Sequence, residues 1–298
     1  MKPILFFLSF FLLVQPGFAQ TLRLAVYRYA DNPRTQNLEP LAAHLQTKLG
    51  VPVTVESKAS VHDLIGAMQA GEVDIAFIST FGYLLLQAGK TPHPMQPVAA
   101  LVAPHAINNY KTAIVSRKGS GITHLTDLFT LGAGKRMAFV ATGSTSGNLV
   151  PRLLLNGIGI GDADTHFSSI HYAGTHAKAI SALLSGSADV AAMGSAEWES
   201  LDTVQKNSLQ LLSLSPEIPL GPVLLKTELE ERLQQKIRAE LLDLHQSNAA
   251  ALQAIKDAWT EAKQATHFVP VGEAYYTPFL QQLGTETQVA TILIKFIR

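Results

Sequence analysis

Residues 61–79 read VHDLIGAMQAGEVDIAFIS: an amphipathic run closed by Gly71, then a short apolar stretch from Val73 to Ser79. Ser60 just ahead and Asp63 three positions on resemble a capping box, so a helix is expected to open there and to stop at Gly71. The apolar stretch is too short for a helix and has the composition of a buried strand. Outward from this unit, TLRLAVY (21–27) and VPVTVES (51–57) read as strands. Between them EPLAAHLQTKLG (39–50) places Leu41, Leu45 and Leu49 on one helical face, with Gly50 as its stop. The order is βαβαβ, the unit of a parallel sheet covered by helices.

A second series follows: KTAIVSR (111–117), a helix around HLTDLF (124–129), RMAFV (136–140), a helix after STSG (144–147), HFSSIHY (166–172), AKAISALLSG (177–186) and ADVAAMG (188–194). It repeats the α/β order and not the sequence, so a second lobe is expected. The apolar, proline-punctuated passage LQLLSLSPEIPLGPVLL (209–225) then returns the chain to the first lobe. Two helical patterns, residues 227–245 and 248–264, the latter with Ala251, Ile255 and Trp259 at spacing four, finish the chain on the outside of that lobe. The expected division is lobe 1 over 20–109, lobe 2 over 110–214, and the return of lobe 1 with C-terminal helices over 215–298. Two such lobes leave a cleft at the C-terminal ends of their strands, where α/β sheets bind ligands.

The first residues, MKPILFFLSFFLLVQPGFAQ, have the basic start, apolar core and small-residue end of a secretory signal peptide over residues 1–19, cut after Ala19. The mature protein is therefore expected to be soluble and exported. With no cysteine, disulfides, thiol catalysis and cysteine-ligated metal are excluded. The 23 basic and 23 acidic residues cancel, which offers no basic stripe to nucleic acid.

Enzyme signatures fail on inspection. Thr145 stands where a nucleophile elbow over 143–147 needs serine, and Phe129 and Arg136 break a phosphate loop around GAGKR (132–136). His171 and His176 have no zinc spacing, so no metal and no cofactor are implied. Four βα turns, by contrast, carry polar groups: Ser79 and Thr80; Tyr110; Ser144, Thr145 and Ser146 with Gly147; and Thr175 with His176. Three successive hydroxyls at a helix start exceed what capping requires. Together with helix N-termini, such neutral donors suit a small oxyanion.

The strings G-E-V-D-I-A-F (71–77), N-Y-K-T-A-I-V (109–115), S-T-S-G-N-L-V-P (144–151), Y-A-G-T-H (172–176), S-A-D-V-A-A (187–192) and S-P-E-I-P (215–219) resemble those of the PhnD-like periplasmic binding proteins for phosphate, phosphite and phosphonate. The resemblance implies a two-lobed α/β type II periplasmic binding protein fold with the cleft between lobes. It further implies a monomer, not an enzyme, that delivers a small phosphorus oxyanion to an ABC permease. The alternative is an accessory protein presenting the oxyanion to a membrane sensor kinase. Carried over, the phosphoryl cradle falls on Ser144, Thr145 and Ser146, the cleft tyrosine on Tyr110, the first-lobe loop on Ser79 and Thr80, and a further donor on Thr175 or His176. Val61 takes the place of a tyrosine, and Ala196 and Gly221 take the places of amine-binding acids, with Glu197 one residue away. On that alignment the cleft has no partner for an ammonium group, and an aminoalkyl phosphonate is disfavoured.

Overall fold

In LRLAVY, alternate side chains bury on opposite faces, as the period of a strand requires. Leu22, Leu24 and Val26 join one core, Ala25 and Tyr27 another. This strand, β1 (Leu22–Tyr27), sits inside a six-stranded sheet and so carries no polar face. The structure, a computed structural model, describes residues 21–104 and 110–297; the expected leader and Asn109 lie outside the described residues.

From β1 the chain runs through α1 (Thr35–Leu49), β2 (Val53–Lys58), α2 (Val61–Gln69), β3 (Ile75–Phe77), α3 (Thr80–Ala88) and β4 (Met95–Val102). At the start of α2, Ser60 Oγ accepts the Asp63 N–H at 3.2 Å and donates to the Asp63 carboxylate at 2.7 Å. The acid thus returns its bond to the hydroxyl. The chain then builds a second sheet from β5 (Thr112–Arg117), α4 (Asp127–Leu131), β6 (Arg136–Phe139), α5 (Val150–Gly157), α6 (Ala163–His166), β7 (Ser169–Tyr172), α7 (His176–Leu184), β8 (Val190–Gly194), α8 (Ser195–Glu199), α9 (Thr203–Ser208) and β9 (Leu209–Leu214). It re-enters the first sheet as β10 (Pro222–Lys226) and continues through α10 (Glu231–Ser247), α11 (Ala249–Ala258), β11 (His267–Pro270), α12 (Thr277–Gln281) and α13 (Glu286–Ile294).

The strand orders are β11-β4-β10-β3-β1-β2 and β7-β6-β8-β5-β9. In each sheet three parallel strands are followed by one antiparallel strand that arrives across the connection between the sheets, β10 in the first and β5 in the second. The repeat extends to single residues. Arg23, on β1, donates its backbone N–H and Nε to Asp74 Oδ2, and Nη2 to Asp74 Oδ1 and Gly71 O. Arg136, on β6, makes the same four bonds to Asp189 and Gly186 O. The Arg136 guanidinium lowers the Asp189 carboxyl to about 2.

Two expectations need correction. The passage MQPVAALV forms β4, a strand absent from the sequence reading; its Pro97 lies where the β10 register shifts, a place that tolerates it. Helices α10 and α11 do cover the first sheet with α1, but they do not finish the chain. After them β11 adds an edge strand, and α13 packs on both α3 and α5. There Phe296 meets the Phe81 ring edge-on at 5.4 Å, and Lys295 pairs with Asp162 at 3.1 Å. The C-terminal segment thus touches both lobes. Among the described residues no helix is long and apolar enough to cross a membrane.

Candidate functional site

Two helix starts from opposite lobes face each other. On the first-lobe side Ser79 caps α3, its Oγ accepting the Gly82 N–H at 3.2 Å. On the second-lobe side Ser144 caps the turn after β6, its Oγ accepting the Gly147 N–H at 3.0 Å. That turn, Thr145–Leu149, is π-helical, with the Val150 N–H bonded to Thr145 O. Such widened turns recur at functional sites because they re-aim side chains and free backbone groups. Across the cleft, the Phe81 N–H of α3 donates to Thr145 Oγ1 at 3.0 Å, and Ser79 Oγ donates to Gly143 O at 3.4 Å. Behind this contact Val61, Leu64 and Phe81 share a core with Leu149, Val150 and Leu153.

The two starts border a cavity of about 200 Å³. Of the residues expected at the site, Ser79, Tyr110, Ser144, Thr145 and His176 line it. Thr80, Ser146, Gly147 and Thr175 do not, and each of them spends a polar group on the fold. Thr80 Oγ1 donates to Pro219 O at 2.7 Å, on the connection between the sheets. Ser146 is fully buried; its Oγ accepts the Tyr110 hydroxyl at 2.9 Å and its N–H donates back to Tyr110 Oη at 3.3 Å. Gly147 bonds Ser144 through its N–H and Val140 through its carbonyl. Thr175 caps α7, accepting the Lys178 N–H at 3.2 Å.

His176 therefore carries the fourth turn into the cavity. Its Nδ1 accepts the Gly194 N–H at 2.9 Å, and desolvation lowers its pKa to about 4. The ring is neutral at pH 7, and the accepting Nδ1 leaves the proton on Nε2 as a donor. In the unfolded chain the pKa is about 6.5. As pH falls below that value the unfolded state takes a proton that the folded state refuses, until the folded ring itself titrates near 4. Between pH 7 and pH 5 wild type is expected to lose about 2 kcal/mol more stability than His176→Gln in parallel denaturant titrations. Equal losses would place the ring in solvent.

The sequence reading overlooked Tyr27, Tyr29, Arg34 and Glu261, all of which line the same cavity. Three of them come from the end of β1 and the turn after it, to which the rule applied to the other βα turns extends equally. Glu261 comes from the short turn after α11 and has no such signal. Its presence corrects the expectation of a cleft without carboxylates, and with it the argument against an ammonium-bearing ligand. Ala196 and Glu197 line a neighbouring cavity that shares Tyr110, His176 and Glu261 with this one. At Gly221 no side chain fits: a Cβ there would overlap Ile78 O and lie 2.8 Å from Ser79 Cα. Among the described residues no group of three or more His, Asp or Glu is placed to hold a metal ion.

Comparisons with known proteins bear on the family and the fold. Residues 25–287 match the family described as ABC transporter, phosphonate, periplasmic substrate-binding protein. The phosphate-import protein PhnD of Mycolicibacterium smegmatis is 28% identical over 181 residues, 58% of this chain and 54% of that protein, so the match spans about half its length. Among solved structures, XAC2383 from Xanthomonas citri bound to chloride superposes with a TM-score of 0.71 at 19% identity, covering 93% of this chain and 99% of that one. PhnD1 from Prochlorococcus marinus in complex with methylphosphonate does so with a TM-score of 0.64 at 18% identity, covering 88% and 96%.

Proposed function

Because the chain belongs to the family of periplasmic substrate-binding proteins of phosphonate ABC transporters, we propose that it closes around a small phosphorus oxyanion (phosphite, phosphate or a small phosphonate) and hands it to a membrane permease. The observation that carries this reading is the meeting of the two helix starts, in which Thr145 Oγ1 takes the Phe81 N–H. That bond brings together a positive helix end, a hydroxyl and the cavity, and a ligand oxygen entering there finds the Thr145 hydroxyl beside the positive start of α3. Ser144 and His176 Nε2 add neutral donors, so each oxygen is satisfied by hydrogen bonds. The two proteins described with phosphate import and with methylphosphonate support the ligand class. Ligand burial by lobe closure supplies the state that a permease distinguishes from the empty one.

A thermal-shift series with phosphite, phosphate, methylphosphonate and sulfate tests the ligand class. A compound at 100 times its dissociation constant adds about 2.7 kcal/mol to stability, which for a chain of this size raises the melting temperature by roughly 5–10 °C. At least one phosphorus compound is expected to do so and sulfate is not. A response to sulfate alone would replace the ligand class.

A further inference from the structure

Arg34 opens α1 with φ of 65° and is only 3% exposed, yet it borders the cleft cavity. Its guanidinium is caged by aromatic faces, with Cζ 4.3 Å from the Trp259 ring centroid, 4.7 Å from Tyr27 and 5.3 Å from Tyr29. Nε donates to Ala258 O at 3.1 Å, at the C-terminal end of α11, and Nη1 to Tyr27 O at 3.5 Å. Nη2 has no acceptor among the described residues, and no carboxylate there lies within 4.0 Å of the guanidinium. A buried cation held by carbonyls and rings alone is costly to keep, since the charge lacks a counter-ion. The same place has a second deficit: α1 begins with no side-chain cap and no acid in its first turn.

The cavity is also larger than a bare oxyanion needs. On the measure in which a single water takes about 10–15 Å³, the roughly 200 Å³ here exceeds what a tetrahedral oxyanion fills. Beyond the hydroxyls of the helix start, its lining includes Arg34, Tyr29 and Glu261. We propose that Arg34 Nη2 receives a second anionic group of the ligand, a carboxylate or a further phosphoryl group, so that the site selects two-ended anions over those with a neutral substituent. The inference rests on the oxyanion reading above and adds the chemistry of the substituent. Two arginines, Arg28 and Arg34, line the cavity against the single carboxylate of Glu261, which leaves room for that added charge.

Affinities of methylphosphonate, phosphonoacetate and methylenediphosphonate, measured by calorimetry on wild type, Arg34→Met and Arg34→Lys, test this. Wild type is expected to bind phosphonoacetate or methylenediphosphonate at least tenfold tighter than methylphosphonate, and the preferred arm identifies the second group. In Arg34→Met that ratio falls to about one, whatever becomes of methylphosphonate itself; Arg34→Lys keeps the cation and retains part of it. A ratio unchanged in Arg34→Met, or equal affinities for all three ligands in wild type, overturns the role of Arg34 while leaving the oxyanion reading intact. A parallel loss for all three ligands with a fall in the melting temperature of the empty protein makes the residue structural and also overturns it. Failure of wild type to bind these or phosphite or phosphate overturns both readings.

Discussion

Gly143→Ala is expected to weaken ligand binding by at least about a hundredfold, ~2.7 kcal/mol, without unfolding either lobe. A Cβ at residue 143 would run into Val61 Cγ1 and lie 3.1 Å from Val61 Cβ. Val61 stands at the start of α2 in one lobe and Gly143 in the turn after β6 in the other, so the obstacle is met only when the lobes come together. The same approach brings Ser79 Oγ to Gly143 O and Phe81 N–H to Thr145, and each of these contacts would be held apart. Removing Cγ1 in the double variant Gly143→Ala, Val61→Ala is expected to recover at least about tenfold of the loss, since residues in contact couple. Calorimetry with the best ligand of the thermal-shift series reads wild type, Gly143→Ala, Val61→Ala and the double variant. Undiminished binding by Gly143→Ala would mean that the lobes close along another path.

Gly221→Ala is expected to cost about 3 kcal/mol or more, because the obstacle is backbone that cannot rotate away. The added Cβ would overlap Ile78 O and crowd Ser79 Cα, displacing the end of β3 or the start of β10. At roughly 2–4 °C per kcal/mol, the melting temperature falls by about 6–12 °C. Binding should weaken as well, since Ser79 caps α3 and lines the cavity. A variant that melts with wild type by scanning calorimetry would contradict the close packing at this crossing.

The α/β order was legible because it rests on local signals: short apolar runs bounded by turn residues, and amphipathic faces such as Leu41, Leu45 and Leu49, of which the last is only partly buried. The internal repeat was not. Its residues, Arg23 with Asp74 and Arg136 with Asp189, are 51 and 53 positions apart, and only a folded sheet shows that each pair closes the same corner. At the site, residue types were legible and their directions were not. Ser144 reaches the cavity while Ser146, two residues on, is turned to Tyr110 by the π-helical turn. Arg34 enters from the βα turn after β1, to which the rule used for the other turns extends, whereas Glu261 comes from a segment with no motif and joins the cavity only because α11 packs against α1. The apolar β4, which the sequence reading did not address, carries a proline whose tolerance depends on a register shift in its partner β10.

The central claim is that a ligand oxygen sits in the cavity beside the contact between the α3 start and the turn after β6. An amide titration by two-dimensional ¹⁵N–¹H NMR, with methylphosphonate added to uniformly labelled protein, reads it most directly. The account predicts that the amides of Phe81, Gly82 and residues 144–147 shift together and saturate at one equivalent. Saturable shifts confined to other residues, with these amides unmoved, would contradict it.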